Sequence, residues 1–386
     1  MFRIICCVVV VAAVCVYFAL DVFLGAAHRV GAVRNTVAIA VQRAHWTDNA
    51  AGLGGALLQI ESSGVELYVA PSSTEKGEER QHVVMAIHGG PSVPSGPWPQ
   101  LDEVMSRVAR VVYPHQRGAG RSSKPIDRFD ATSGFYPNFL KLEGTLGVGA
   151  QVSDLEVLRH ALTKGREQKV HLVGHSFGGL LATFYAAEFP ENVASLTLIS
   201  PANCLSMPPP NNGLFGLIRD RLPTASDQTK FDEFVSSYLD YSATGAWTKS
   251  EKEMHDVNRQ MGVWYARAVK NDSLKLRLEE RLNEGTYDDG GGWAPHAMFM
   301  SLGMWYDHTA QLQAAFRRVV FPVHILHGAK DIQQLGDSVA YAKLFPGHLV
   351  TTTVLQQSDH FSVLWKDGEE GAEEFRRALE GFFKLL

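Results

Sequence analysis

The chain has 386 residues, 45% hydrophobic and 20% charged, the balance of a folded globular protein and not of a disordered or fibrous one. Its 36 basic residues are scattered among 41 acidic ones for a net charge of −5, so no basic stripe suits a phosphate backbone and nucleic acid is excluded as a partner. Cys6, Cys7 and Cys15 fall in the first apolar run and only Cys204 lies in the body, which excludes a disulfide framework or a cysteine-based metal site there.

The first element is apolar. Ile4 to Leu20 is a run of 17 uncharged residues after Arg3; Asp21 interrupts it, and Val22 to Ala27 is apolar again. The run is long for a signal-peptide core and slightly short for a full transmembrane helix. Residues 1–27 are therefore expected to form an uncleaved signal or a single N-terminal membrane anchor, with a cleaved signal peptide as the alternative. Arg29, Arg34 and Arg43 follow the run and leave its orientation open.

Next come two expected strands between Gly52 and Ala70. Leu57 to Ile60 forms the first, Ser62-Ser63-Gly64 the turn, and Val65, Leu67 and Val69 one face of the second. Pro71 to Gln81 is polar and reads as a surface loop. Strands and helices then alternate. Val83–Ile87, Val108–Val112, Val170–Val173, Leu196–Ile199, Val323–Leu326 and Leu349–Val354 read as strands. Val152–Leu162, Leu180–Phe189 and Glu373–Leu386 read as helices. Strands this apolar, separated by helices, predict an α/β fold with a mostly parallel sheet covered on both faces. The alternation breaks from about 201 to 318, where the pattern turns helical around Pro208-Pro209-Pro210 and Gly290-Gly291-Gly292. The expected organisation is a core over 45–200 and 319–386 with a helical cap, 201–318, inserted between two core strands.

Chemistry concentrates at Gly174-His175-Ser176-Phe177-Gly178. A Gly-x-Ser-x-Gly spacing alone says little, but this one follows a strand directly and opens a helix, the setting of a nucleophile elbow. Ser176 is the expected nucleophile. A serine hydroxyl needs a base, and in such folds the acid and then the histidine follow the serine in the chain. His360, after the last strand, is the expected base. Asp331, after the strand Val323–Leu326, is the expected acid, with Asp337 and Asp359 as weaker rivals. Two backbone amides are needed for the oxyanion. Phe177 is expected to supply one, and the turn His88-Gly89-Gly90-Pro91 the other, from Gly90 or alternatively Gly89.

His88-Gly89-Gly90-Pro91, Gln116-Arg117-Gly118-Ala119-Gly120-Arg121-Ser122, the helix with Asp154-Leu155-Glu156, and the elbow together resemble the prolyl iminopeptidase branch of the α/β-hydrolases. The resemblance covers about Val83 to Pro201 well and Val319 to Val363 moderately. It implies the triad roles of Ser176, Asp331 and His360 and a fold that carries a helical cap. Ser92 stands where a further glycine is usual, His115 where an aspartate precedes Gln-Arg-Gly, and Gly-His-Ser-Phe-Gly where Gly-Gly-Ser-Trp-Gly is usual; this elbow resembles general lipases and esterases. In the peptidases, cap acids grip the substrate's free amine, and Glu233, Glu251 and Glu253 stand as possible counterparts. Trp264, Tyr265, Trp293, Trp305 and Tyr306, with Met298, Met300 and Met304, make the cap rich in apolar surface, fit either for an apolar substrate group or for packing on the core. Asn271-Asp272-Ser273 is a glycosylation sequon.

The expected function is a serine hydrolase that cleaves an amide or ester through an acyl-enzyme, aminopeptidase-like first and lipid or small-ester hydrolase second. The expected partner is a small-molecule or peptide substrate. No metal or organic cofactor is implied, and the sequence gives no oligomeric state. A non-catalytic binding protein of the same fold is the alternative from another class. A hydrolase with an aspartate nucleophile is opposed by serine at 176.

Overall fold

The computed structural model describes residues 28–47, 54–72, 82–105, 108–210, 213–242, 244–270, 272–283, 290–303, 306–364 and 371–384. The expected anchor or signal over 1–27, most of the loop after Pro71, the sequon's Asn271, and Met304 and Trp305 lie outside them. Among the described residues no helix is long and apolar enough to cross a membrane.

Nine strands form one sheet in the order β1-β2-β3-β5-β4-β6-β7-β10-β11. They are β1 (Ala44–Thr47), β2 (Ala56–Ile60), β3 (Val65–Pro71), β4 (His82–Ile87), β5 (Ala109–Pro114), β6 (Val170–His175), β7 (Val193–Ile199), β10 (Val323–Gly328) and β11 (Val350–Leu355). From β5 across to β11 every pairing is parallel. The expected hairpin is present: β2 and β3 pair antiparallel, with Ile60 opposite Val65. The six residues of β6 and of β10 are all buried, as strands covered by helices on both faces must be. At the edge, β11 alternates less and carries Thr351, Thr352 and Thr353, two of them exposed. Its β-branched residues suit the extended chain while their hydroxyls tolerate water.

Several boundaries differ from expectation by a few residues. Val108 precedes β5 and is 58% exposed, so the strand starts one residue later. The short edge strand β1 pairs with β2; Ala44-His45-Trp46-Thr47 is half exposed and too short to alternate legibly.

A buried ion pair ties the loop after β5 to the helix Val148–Leu162. Arg117 Nε donates to Asp154 Oδ2 at 2.6 Å, its terminal nitrogen donates to Asp154 Oδ1, and Nη1 reaches the Thr145 carbonyl at 3.1 Å. Burial pushes the Asp154 carboxyl up and the guanidinium offsets part of that push. At the start of the described chain, His28 N–H donates to the Ser301 carbonyl at 2.7 Å. Glu188, at the end of helix Phe177–Glu188, accepts from the amides of Gly31 and Val33.

Between β7 and β10 the chain runs through the helices Gly213–Arg221, Ala225–Tyr238, Glu251–Ala268, Asp272–Asn283, Trp293–Ser301 and Thr309–Phe316. Two short strands, β8 (Ser206–Met207) and β9 (Tyr306–Asp307), pair antiparallel and bring the two ends of this excursion together. Trp247 and Trp293 stack at 5.7 Å and Phe129 packs edge-on to both, in one apolar cluster with the sheet's own residues.

Removing one member of a buried ion pair strands the other charge. Arg117→Ala is therefore expected to lower stability by about 3–5 kcal/mol, measured by urea unfolding.

Candidate active site

Ser176 sits at the turn between β6 and the helix Phe177–Glu188, with φ +53° and ψ −121°. A side-chain-bearing residue takes that conformation only where its surroundings enforce it. Here the backbone is packed too tightly for alternatives. A Cβ added at Gly174 would lie 2.5 Å from the Gly178 carbonyl oxygen, and one added at Gly178 would run into the carbonyl of Ile87. One added at Gly89 would lie 2.8 Å from Ser176 Cβ and 3.4 Å from Ser176 Oγ, so the Gly89 backbone lies directly against the serine. Ser176 N–H donates to the Ile199 carbonyl at 2.9 Å, and its own carbonyl accepts from Gly179 and Ala202 at 2.9 and 3.0 Å. The side chain makes no helix cap and is half-buried. The helix begins at Phe177, three residues earlier than the apolar pattern from Leu180 predicts, because the elbow feeds straight into it.

The loop that carries Gln116 holds the glycine turn at the elbow. His88 Nδ1 donates to the Gly89 carbonyl at 3.1 Å while its Nε2 accepts from Gln116 N–H at 3.1 Å. Gln116 Nε2 donates to the His88 carbonyl at 2.8 Å, and its oxygen accepts from Ser92 N–H at 3.2 Å. One ring nitrogen donating and the other accepting is the neutral imidazole, and burial holds His88 down at about 3. Gly90 has φ +120° and is exposed. Ser92 has φ +58°, a backbone geometry that a glycine would adopt more easily.

The structure brings Asp331 and His360 together. His360 Nδ1 donates to Asp331 Oδ2 at 2.8 Å, and both side chains are buried. Asp331 Oδ1 accepts from Gln333 N–H at 2.8 Å. Burial pushes the Asp331 carboxyl up, but the His360 imidazole and hydrogen bonds from His360, Ser200 and the Gln333 amide outweigh it and hold the group below its ordinary 3.8. The rival acids are engaged elsewhere. Asp337 caps its own helix by accepting from Gln334 N–H at 3.1 Å, and Asp359 accepts from Phe361 N–H at 2.7 Å. His360 is held against the elbow by His175, whose Nε2 donates to the His360 carbonyl at 2.7 Å, with ring centroids 4.8 Å apart. Burial, with His360 nearby, lowers His175 to about 3, so it stays neutral.

Three contributors escaped the sequence reading. His175 was visible only as the variable position of the elbow. Ser200, with φ +41° at the end of β7, donates to Asp331. Gln333 sets its amide nitrogen 3.4 and 3.5 Å from the two ring nitrogens of His360. Serine and glutamine after a strand carry no pattern that separates them from ordinary loop residues.

The acids considered for gripping an amine are also placed. Glu251 is buried and accepts from Gly292 and Trp293 N–H at 2.7 and 2.8 Å, capping the helix Trp293–Ser301. Glu253 closes a capping box with Ser250 at the start of its own helix. Glu233 is exposed on the helix Ala225–Tyr238. Among the described residues no group of histidine, cysteine, aspartate and glutamate side chains is arranged to hold a metal ion.

A family model described as alpha/beta hydrolase fold matches residues 82–367. The chain belongs to the α/β-hydrolase fold family. A proline iminopeptidase from Lactobacillus helveticus is 32% identical over 126 residues, which is 32% of this chain and 37% of that protein. The chain thus matches little more than a third of the length of that peptidase. A 2-hydroxymuconate semialdehyde hydrolase from Pseudomonas putida is 27% identical over 301 residues, 77% of this chain and 85% of that one. Among solved structures, an esterase from Exiguobacterium antarcticum superposes with TM-score 0.56 at 17% identity, covering 86% of this chain and 99% of its own. That likeness establishes the α/β-hydrolase fold alone.

Because the Asp331 carboxyl sits below 3.8 in the fold, its contribution to stability is present above 3.8 and is lost as pH falls through the folded value. Asp331→Asn should therefore have a lower Tm than the parent at neutral pH, and the gap should close as pH falls below 3.8. Thermal unfolding followed by circular dichroism from neutral to acid pH checks this; a gap that widens toward acid would contradict it.

Proposed function

We propose that this α/β-hydrolase is a serine hydrolase that cleaves an amide or ester bond through an acyl-enzyme. The observation that carries the reading is the buried Asp331–His360 hydrogen bond at 2.8 Å, held by His175 against the strained turn that presents Ser176. In this reading His360 removes the Ser176 proton as Oγ attacks the carbonyl carbon. The imidazolium formed is stabilised by ionised Asp331, and it returns the proton to the leaving amine or alcohol as the carbon–nitrogen or carbon–oxygen bond breaks. Water, deprotonated by His360, then attacks the acyl-enzyme, and the acid leaves as Ser176 regains its proton.

The oxyanion is assigned to the amides of Phe177 and Gly90, with Gly89 as the alternative to Gly90. Phe177 is supported by its place at the first position of a helix, where backbone N–H groups lack partners within the helix and the dipole favours negative charge. The Gly89-Gly90 turn is supported by its packing against Ser176. The helices between β7 and β10 are read as the cap that selects the substrate.

Among substrates, the likeness to proline iminopeptidases favours an aminopeptidase-like activity, and the 2-hydroxymuconate semialdehyde hydrolase is a reminder that the fold acts on other bonds. One observation favours the ester reading. Glu251 and Glu253 spend their carboxylates on helix ends, so neither is free to hold a substrate amine. We also read residues 1–27 as an N-terminal membrane anchor or signal.

Assay of aminoacyl-arylamides beside acyl esters separates the two substrate classes. Ser176→Ala and His360→Ala are each expected to lower kcat by about 10³-fold or more on whichever class is cleaved, in protein that still unfolds cooperatively. Activity that survives either substitution would overturn the mechanism.

A further inference from the structure

The helices Gly213–Arg221, Ala225–Tyr238 and Trp293–Ser301, with the start of Phe135–Leu146, enclose a cleft of about 770 Å³, a size typical of small-molecule sites. Phe139, Phe215, Phe231, Val235, Leu239 and Phe299 are among its walls. The polar side chains of the wall are already engaged with the protein. Arg219 Nε donates to both oxygens of Asp232 at 2.8 and 3.0 Å, and the Ser236 hydroxyl donates to the Asp232 carbonyl at 2.9 Å. The Tyr238 hydroxyl donates to Asn258 at 3.0 Å, and that of Tyr241 lies 2.7 Å from His296 Nδ1. A peptide or sugar placed here would lose its hydrogen bonds to water and find few in return, at a cost of about 1–3 kcal/mol per group. A hydrocarbon chain loses nothing and gains burial.

Ser176, Asp331 and His360 are not among the wall residues. Phe177, the buried residue next to the serine, packs its ring edge-on to Phe299, a wall of the cleft, with centroids 5.6 Å apart. The described chain begins beside the cleft. His28 is bonded to the carbonyl of Ser301, and Met300 and Gly303, within two residues of it, are walls of the cleft. Ahead of His28 the sequence holds the 17 uncharged residues from Ile4 to Leu20. A segment of that composition in a bilayer would keep the cleft close to the membrane surface. Phe135 and Leu239, which line the cleft, are 37% and 47% exposed, so its mouth is apolar as well.

We propose that this cleft receives the hydrocarbon chain of a membrane-lipid ester whose carbonyl carbon is presented to Ser176 past Phe177. The proposal rests on the hydrolase reading and deepens it by naming the substrate class.

The test uses the full chain in phosphatidylcholine vesicles, with p-nitrophenyl palmitate and p-nitrophenyl acetate as substrates. The parent should favour palmitate in kcat/KM. Val235→Trp, which narrows the cleft, should reduce the palmitate-to-acetate ratio roughly tenfold or more. Leu239→Asp, at an exposed position where folding is not at stake, should reduce it in the same direction. In a Ser176→Ala background, fluorescence of cis-parinaric acid should report binding that Val235→Trp removes. Ester hydrolysis with a ratio unmoved by both substitutions, or Ser176→Ala protein that binds no probe, would overturn the proposal. Probe binding that depends on Val235, in a protein that cleaves neither esters nor arylamides, would instead overturn the hydrolase reading and leave the chain site standing.

Discussion

The geometry of the site depends on how closely four backbone segments approach one another at residue 176. The end of β6, the first turn of helix Phe177–Glu188, the end of β4 and the Gly89 turn meet at distances that exclude a Cβ at Gly174, Gly178 and Gly89. Ser176 has no relaxed conformation within that packing and takes φ +53°. Strain of this kind costs about 1–3 kcal/mol and persists only where the surroundings over-determine it. Its consequence is directional: the hydroxyl leaves the sheet at the start of a helix, with a backbone turn against one side and a histidine loop close by.

The histidine loop is fixed with similar redundancy. His360 is held at its ring by Asp331 and at its carbonyl by His175, so the elbow and the histidine loop share a contact that does not involve the serine. Asp331 is in turn supported by Ser200 and Gln333, from two different loops. Buried carboxylates are stable only with such partners. The same rule explains Arg117 and Asp154 beneath the Gln116 loop, and His88 and Gln116 pinning the glycine turn. The loops that carry Gln116 and His360 are thus anchored by hydrogen bonds and not by apolar packing alone.

How much of this is legible in sequence follows from the same physics. The core strands are buried on both faces, so Val83–Ile87, Val170–Val173 and Val323–Leu326 read as unbroken apolar runs that match β4, β6 and β10 to within about two residues at either end. The elbow is legible because close backbone contact admits only glycine at Gly174 and Gly178. Asp331 and His360, which the structure pairs, are singled out in sequence by order and by position after strands. What escaped is what burial does not mark. The half-exposed strand Ala44–Thr47 has no period. Ser200 and Gln333 act through single hydrogen bonds that any loop could contain. Glu251 stands in sequence as a possible holder of a substrate amine, yet it is buried as the cap of a helix 41 residues on, a long-range contact invisible to local pattern.

The central claim is that Ser176 is activated by His360 and Asp331. Its most direct test is covalent: the folded protein is treated with a fluorophosphonate, digested, and the adduct located by mass spectrometry. One adduct per chain is expected, on Ser176, lost when His360 is replaced by alanine in protein that still unfolds cooperatively. A folded parent that takes no label, or takes it on another serine, would contradict it.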